Sequence, residues 1–393
     1  MRKPLNYASF SRLAGLRQAL ILAQFAMSRP YYPRIAIACV LLALVIGVLI
    51  WQRFAGFRPR DHSVSDNGSS VPAAEIFNRA RSGLHNTAGS RIAERVVQNL
   101  REQLEAIPRS EQIVSLRRFL ESGKDESTRM GFELNADGSL AKAPTLRTMA
   151  LDQLTALDPH AAAAVAKRIF ESKTSSDEWA VALRACARAD TNTATIEFLK
   201  SRAQEMVQYG PWRTNPSVGF LEAFDVFVYT RDAEFAPDLA GMIRDTANPA
   251  VAHAAFLALD RLTQSEPAAI LQSLLENPAL LEGREATRAG LFARADVRHP
   301  AQQELLAKYL LLSDRAPAEL NSFASLFPNA NFMISHNLLT QSATLTGDEL
   351  RARDAAAWKM VNAWLADAKF QRLDPQLNQI RSRLEQFGAS TSR

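Results

Sequence analysis

The residues best suited to molecular recognition lie in one short stretch, YGPWRTNP, at positions 209–216. Tyr209, Trp212 and Arg213 are of the residue types enriched at the hot spots of protein interfaces. Two interpretations remain open. The three side chains bind a partner, or the stretch packs over neighbouring helices with Trp212 buried, as tryptophan usually is. A second break, 327–332 (FPNANF), is interpreted as a structural turn.

Residues that commonly catalyse reactions or bind metals do not show the spacings that such sites require. No H-E-x-x-H pair, G-x-S-x-G, P-loop or G-x-G-x-x-G occurs, and no histidine neighbours a cysteine at metal-ligand spacing. Cys186 lies in an alanine-rich segment, which favours a buried structural thiol over a nucleophile. The sequence therefore predicts no metal and no cofactor. A dispersed triad or carboxylate pair stays open, so an enzyme or enzyme accessory with a site in a groove is the alternative.

The charges of the chain are distributed unevenly. Residues 1–60 contain nine lysines or arginines and no acid, whereas the rest of the 393-residue chain contains 37 basic and 41 acidic residues. The basic excess therefore lies near the N-terminus, where it suits anionic lipid. The remaining chain has no excess of basic residues to follow a phosphate backbone, and we expect no nucleic-acid partner.

An uncharged stretch of 18 residues, IAIACVLLALVIGVLIWQ, begins at Ile35 and ends at Gln52. A helix of this length reaches about 27 Å, close to the ~30 Å of a bilayer core. Arg34 and Arg53 flank the stretch, and no A-x-A cleavage site follows it. These features predict a single-pass, uncleaved signal anchor that attaches the protein to a membrane.

The predicted anchor is preceded by a basic tail, residues 1–34, and followed by a polar linker, residues 53–72. A short basic tail is difficult to translocate, so we expect a cytoplasmic N-terminus and an extracytoplasmic body, periplasmic in a bacterium. The opposite orientation, with a cytoplasmic adaptor, stays an alternative. Cys39, Ala43 and Gly47 share one face of the predicted helix and could pack two helices into a homodimer.

The soluble body is predicted to be all-α, with a helical N-terminal part, residues 73–144, and a helical-repeat domain, residues 145–393. Within 73–144, the stretch 132–143 (FELNADGSLAKA) is interpreted as a small hairpin or an irregular loop. In the second part, helices pair, and the first helix of successive pairs begins near residues 146, 178, 218, 249 and 284. Steps of 30 to 40 residues with two helices in each are typical of helical repeats. Proline after Asp or Asn marks several helix starts, among them Asp158-Pro159 and Asn248-Pro249.

The segment 248–262 (NPAVAHAAFLALDRL) resembles a helix of a HEAT-type repeat, and 177–189 and 284–296 are similar. The resemblance implies a HEAT- or armadillo-like α-solenoid, closed at its end by a longer helix that contains Trp358 and Trp364. Such stacks present extended surfaces to protein or peptide partners. The expected function is thus that of a membrane-anchored scaffold or assembly factor.

Overall fold

The computed structural model describes residues 73–86, 89–331, 338–342 and 344–386, and the statements below concern these residues. The predicted anchor, the basic tail, the linker and the small-residue face of Cys39, Ala43 and Gly47 lie outside them. Among the helices described, none combines the length and the apolar character needed to cross a membrane. The fold of the described residues is all-α, as predicted, with one short hairpin.

The N-terminal part begins with three helices: α1 (Ala73–His85), α2 (Ser90–Glu105) and α3 (Arg109–Glu121). Leu100 and Leu104 of α2 bury one face of that helix, and Pro108 ends the connection before α3. The rings of Phe77 and Phe119 stack 4.2 Å apart and join α1 to α3. Leu100 and Leu104, four residues apart in the sequence, thus lie on the side of α2 that is buried in this small helical cluster.

The stretch 132–143 forms a two-stranded antiparallel hairpin, so the first of its two interpretations is confirmed. Strands β1 (Glu133–Leu134) and β2 (Leu140–Lys142) pair Glu133 with Lys142. Gly138 adopts a φ of 81° in the turn, a backbone conformation that glycine reaches without steric strain.

The helix pairs follow the predicted boundaries closely where a polar side chain caps the helix. Asp158 accepts a hydrogen bond from the Ala161 amide, and Asn248 accepts from the amides of Ala250 and Val251. The helices of the second part are α4 (Leu146–Leu157), α5 (Pro159–Ile169), α6 (Ser176–Ala189), α7 (Thr193–Gln208), α8 (Gly210–Thr214), α9 (Val218–Glu222), α10 (Asp225–Tyr229), α11 (Ala236–Arg244), α12 (Pro249–Ser265), α13 (Pro267–Glu276), α14 (Glu285–Phe292), α15 (Pro300–Leu311), α16 (Pro317–Leu326), α17 (Gly347–Leu365) and α18 (Asp374–Gln386).

The third pair differs from the sequence prediction. The residue pattern of 218–230 predicts a single helix, but α9 and α10 divide that range, because several amides between them donate to the carbonyl three residues earlier instead of four. Gly219 explains where α9 lies. Its amide donates to Asp177 Oδ1 at 2.8 Å, and a Cβ at this position would lie 2.9 Å from the Asp177 Cα. The close approach of α9 to α6 therefore requires glycine.

Each pair packs mainly against its neighbours along the chain. Helix α6 contacts α4 and α5 of the pair before it and α9 of the pair after it, and α12 contacts α10 and α11. At the other end α14 packs on α16, α16 on α18, and α18 on α17. A single pair has too little partner surface to bury its apolar face, so stacking completes the core.

Candidate binding site

Three buried ion pairs link helices that belong to successive helix pairs. Arg184 of α6 bonds Asp152 of α4, and Arg261 of α12 bonds Asp225 of α10 at 2.8 Å. Arg294, just after α14, bonds Asp260 of α12 through two parallel hydrogen bonds of 2.9 Å. We call these three the line of buried pairs.

The partners in each buried pair are separated in sequence by about the length of one helix pair. The separations are 32, 36 and 34 residues for the three pairs. Two further pairs, Arg147–Glu178 and Arg288–Glu319, each span 31 residues. A buried charge needs a partner, and here a neighbouring helix pair supplies it. The sequence carries this signal as an arginine and an acid that recur 31 to 36 residues apart inside otherwise apolar helices, and the residue patterns considered above did not include it.

The line of buried pairs binds non-helical main chain of the same protein. Arg184 donates to the Gly138 carbonyl in the hairpin turn, and Arg188 donates to the Asp137 carbonyl at 2.7 Å. Arg294 donates to the Asn331 carbonyl at 2.7 Å. Guanidinium groups that are held by an acid behind them thus present their remaining N–H groups to peptide carbonyls.

Asp225 also binds main chain, but it accepts hydrogen bonds from peptide amides, whereas the arginines donate to peptide carbonyls. Its carboxylate accepts the amides of Leu339 and Thr340, both at 2.7 Å. Burial raises the pKa of Asp225, while the Arg261 guanidinium and the bonds from residues 339 and 340 oppose that shift. The amide side chain of Gln341 then reaches the Ala136 carbonyl of the hairpin turn at 2.7 Å. We call the described residues 327–331 and 338–342 the connecting segment; they lie beside the line of buried pairs, and Gln341 meets the hairpin.

Beyond Arg294 the line opens into a cleft of about 570 Å³. Its basic lining residues are Arg294, Arg298, His299 and Arg353, and its acidic one is Asp296. Thr263, Gln264 and Ser265 at the end of α12 supply polar groups. The volume is within the ~300–1,000 Å³ typical of ligand-binding clefts.

Two helix starts position the basic groups of the cleft. Thr346 and Glu349 form a reciprocal capping box that fixes the first turn of α17, and Arg353 lies in the next turn. Gln302 in the first turn of α15 accepts the Asp296 amide at 2.7 Å and so holds the loop that carries Arg298. The side chains therefore project from two anchored elements.

Asp296 is the electrostatic centre of the cleft. Arg298 binds its carboxylate through Nε at 2.9 Å and Nη2 at 2.6 Å, and Arg353 Nε lies 3.9 Å away. Burial acts to raise the pKa of Asp296, but the hydrogen bonds from Arg298 and the charges of Arg353 and Arg298 hold that pKa below its ordinary value. The carboxylate is therefore ionised at neutral pH and largely neutralised by Arg298.

The guanidinium of Arg353 makes fewer hydrogen bonds with the described residues than those of Arg294 and Arg298. Its side chain is 12% exposed, and burial lowers its pKa. Nη2 donates to the Arg294 carbonyl at 2.9 Å, whereas the buried Nε makes no hydrogen bond with any described residue. A cation in this state is a better receptor for an anion than one that is already paired.

The three residues predicted to bind a partner differ in how deeply their side chains are buried. Trp212 is buried at 8% exposure and packs edge-on against Trp179 and Tyr209, so the alternative in which the stretch packs over the helices describes this ring. The stretch contains the short helix α8 and is not a free loop. Tyr209 and Arg213 are half-buried, and Arg213 lines a cleft of about 320 Å³ with Asp245 and Asn248. Partner binding by Tyr209, Trp212 and Arg213 stays a prediction.

The other reactive residues are placed as follows. Cys186 is buried in α6, and desolvation raises its pKa to about 11. His299 is an exposed side chain 4.0 Å from Asp296, and His85 lies 3.5 Å from Glu126. Within the described ranges, no group of three or more His, Cys, Asp or Glu side chains could hold a metal ion. At the break 327–332, Phe327 is fully buried and precedes Pro328 through a cis peptide bond.

Comparison with known proteins adds no family to this geometry: no family model, curated protein or solved structure matches the chain significantly.

Proposed function

We propose that this chain is a membrane-anchored scaffold of HEAT- or armadillo-like helical repeats that binds extended segments of protein or peptide partners. The anchor is the segment from Ile35 to Gln52, with the N-terminal tail cytoplasmic and the helical body extracytoplasmic. The proposal combines the sequence evidence for the anchor with the contacts of the helical body.

One observation carries the binding part of the proposal: the line of buried pairs already holds non-helical main chain in cis. Arg184 and Arg294 donate to peptide carbonyls, and Asp225 accepts two peptide amides. These contacts recognise the backbone without reading side chains, which is how extended peptides are commonly held. The cleft beyond Arg294 continues this line and is open to a segment from another protein.

The test is site-specific photo-crosslinking in cells, followed by identification of the captured proteins. A photoreactive residue at Thr344 lies in the lining of the cleft, and one at Gln98 on the exposed side of α2 is the matched control. We expect reproducible capture of envelope proteins from position 344 and not from position 98. Equal capture from both positions, or capture of cytoplasmic proteins alone, would contradict the binding surface or the orientation, respectively.

A further inference from the structure

The charge of the cleft points to the chemistry of its ligand. Three arginines line it, together with one acid, Asp296, which Arg298 already neutralises through a two-point bond. Arg294 is likewise neutralised by Asp260 behind it. The most weakly paired charge is that of Arg353, whose Nε lies 3.9 Å from Asp296 Oδ2, an acid that Arg298 already holds.

Two guanidinium groups keep a donor available. Arg298 uses Nε and Nη2 on Asp296, and Arg353 uses Nη2 on the Arg294 carbonyl. The Nη1 groups of Arg298 and Arg353 make no hydrogen bond with a described residue and are not among the buried unsatisfied atoms. Because both groups line the same cleft, one anion can receive hydrogen bonds from both.

The neighbouring contacts favour a peptide as the source of that anion. Arg294 lines the cleft and at the same time binds the Asn331 carbonyl of the connecting segment. A peptide that extends this backbone-binding line into the cleft therefore places a side chain beside Arg298 and Arg353. An aspartate or glutamate at that position is complementary in charge to the two donors.

We infer that the cleft binds the carboxylate of an acidic side chain in an extended peptide, with Arg353 and Arg298 as its receptors. This inference rests on the proposed peptide-binding function and specifies its ligand class. Arg353 supplies a weakly paired charge, and Arg298 supplies a second donor while holding Asp296.

The experiment measures binding of two labelled peptides to the full-length protein in detergent micelles. In one peptide glutamate alternates with glycine, and in the other glutamine replaces each glutamate. We expect the glutamate peptide to bind at least about tenfold more tightly, because hydrogen bonds to charged groups are the stronger ones. Arg353→Gln should remove most of this preference, and Arg353→Lys should keep part of it.

Arg351→Gln is the matched control, since Arg351 lies on the same helix, is 74% exposed and does not line the cleft. The thermal midpoint of each variant shows whether it folds, and the Lys variant keeps the charge if the Gln variant does not. Equal binding of the two peptides by wild type would overturn the inference and leave peptide binding intact. Tighter Arg353-dependent binding of inorganic phosphate than of the glutamate peptide would also overturn it. Failure of the proposed function is distinct, because it appears as absent crosslinks from position 344.

Discussion

Arg294 and Asp260 form a two-point ion pair in which both hydrogen bonds are 2.9 Å long and both side chains are 3% exposed. The pair joins α12 to the loop after α14, and the same guanidinium also holds the Asn331 carbonyl. One arginine thus connects two helix pairs and the connecting segment. Its acid partner is what keeps a full positive charge inside the stack.

Removal of Asp260 should destabilise the protein strongly. We expect Asp260→Ala to lower the free energy of unfolding by ~3–5 kcal/mol, because it leaves Arg294 buried without a counter-charge. Glu304→Ala is the control, since Glu304 and Lys308 form an exposed pair on α15. That variant should change stability by less than ~1 kcal/mol. Urea denaturation measures the free energy of unfolding of both variants. Equal losses would show that the buried pair contributes no more to stability than the exposed pair.

Asp225 should slow hydrogen exchange at the amides of the connecting segment. In Asp225→Asn the charge that attracts the amides of Leu339 and Thr340 is lost, and we expect faster hydrogen exchange in residues 338–342. Asp238→Asn, at an exposed position of α11, should leave that exchange unchanged. Exchange followed by mass spectrometry resolves the segment. Unaltered protection in Asp225→Asn would mean that other contacts hold it.

Trp212 should contribute more to the stability of the fold than Arg213. We expect Trp212→Ala to cost ~3–5 kcal/mol, since it empties a site between Trp179 and Tyr209. Arg213→Ala should cost less than ~1 kcal/mol, because its pair with Asp245 is half-exposed. Denaturation midpoints check both values. If instead Trp212→Ala is as stable as wild type and loses a crosslinked partner, the ring is a binding residue after all.

Cys186 should resist alkylation in the folded protein. Burial raises its pKa from 9.0 to about 11, so the thiolate at pH 8 is about a hundredfold rarer than in the unfolded chain. In a Cys39→Ser background Cys186 is the remaining thiol, and we expect iodoacetamide to modify it only after denaturation. Rapid modification of the native protein at pH 8 would contradict the buried placement.

The decrease in the free energy of unfolding at acid pH should depend on Asp296. Its pKa in the folded state is lower than the ordinary value of 3.8, so its stabilising contribution is present above that value and is lost as the pH falls through the lower folded pKa. Asp296→Asn should therefore lower the urea midpoint at pH 7, and the difference from wild type should shrink below about pH 3.8. A difference that stays constant down to pH 3 would rule out this titration.

The sequence predicted the helical pairs because their signals are local. An apolar spacing of three to four residues, Asp or Asn caps, and proline in the first turn are all readable within one helix, as at Asp158 and Asn248. The division of 218–230 escaped prediction because its cause is not local. The approach of Gly219 to Asp177 depends on a contact 42 residues away.

The candidate site was beyond prediction for the same reason. Arg353 lies 55 residues after Arg298, and Arg294, Arg298 and Arg353 resemble ordinary surface arginines in the sequence until the fold brings Arg353 to the same cleft as the other two. Residue type alone marks Trp212 as a candidate for binding, and the structure shows that its ring is buried against Trp179 and Tyr209. The arginines and acids 31 to 36 residues apart are visible in the sequence, but they become informative only once the pairs are known to be buried.

The bond between Gln341 and the Ala136 carbonyl joins residues 205 positions apart. A stack in which each helix pair contacts only its neighbours can lengthen under load, because each interface yields a little. Here the connecting segment lies beside several helix pairs and is bonded to Arg294, Asp225 and the hairpin. A force that separates the hairpin from the loop after α14 must therefore break these bonds as well as the contacts between neighbouring helices. The bonds of the connecting segment thus add resistance to stretching of the helical body.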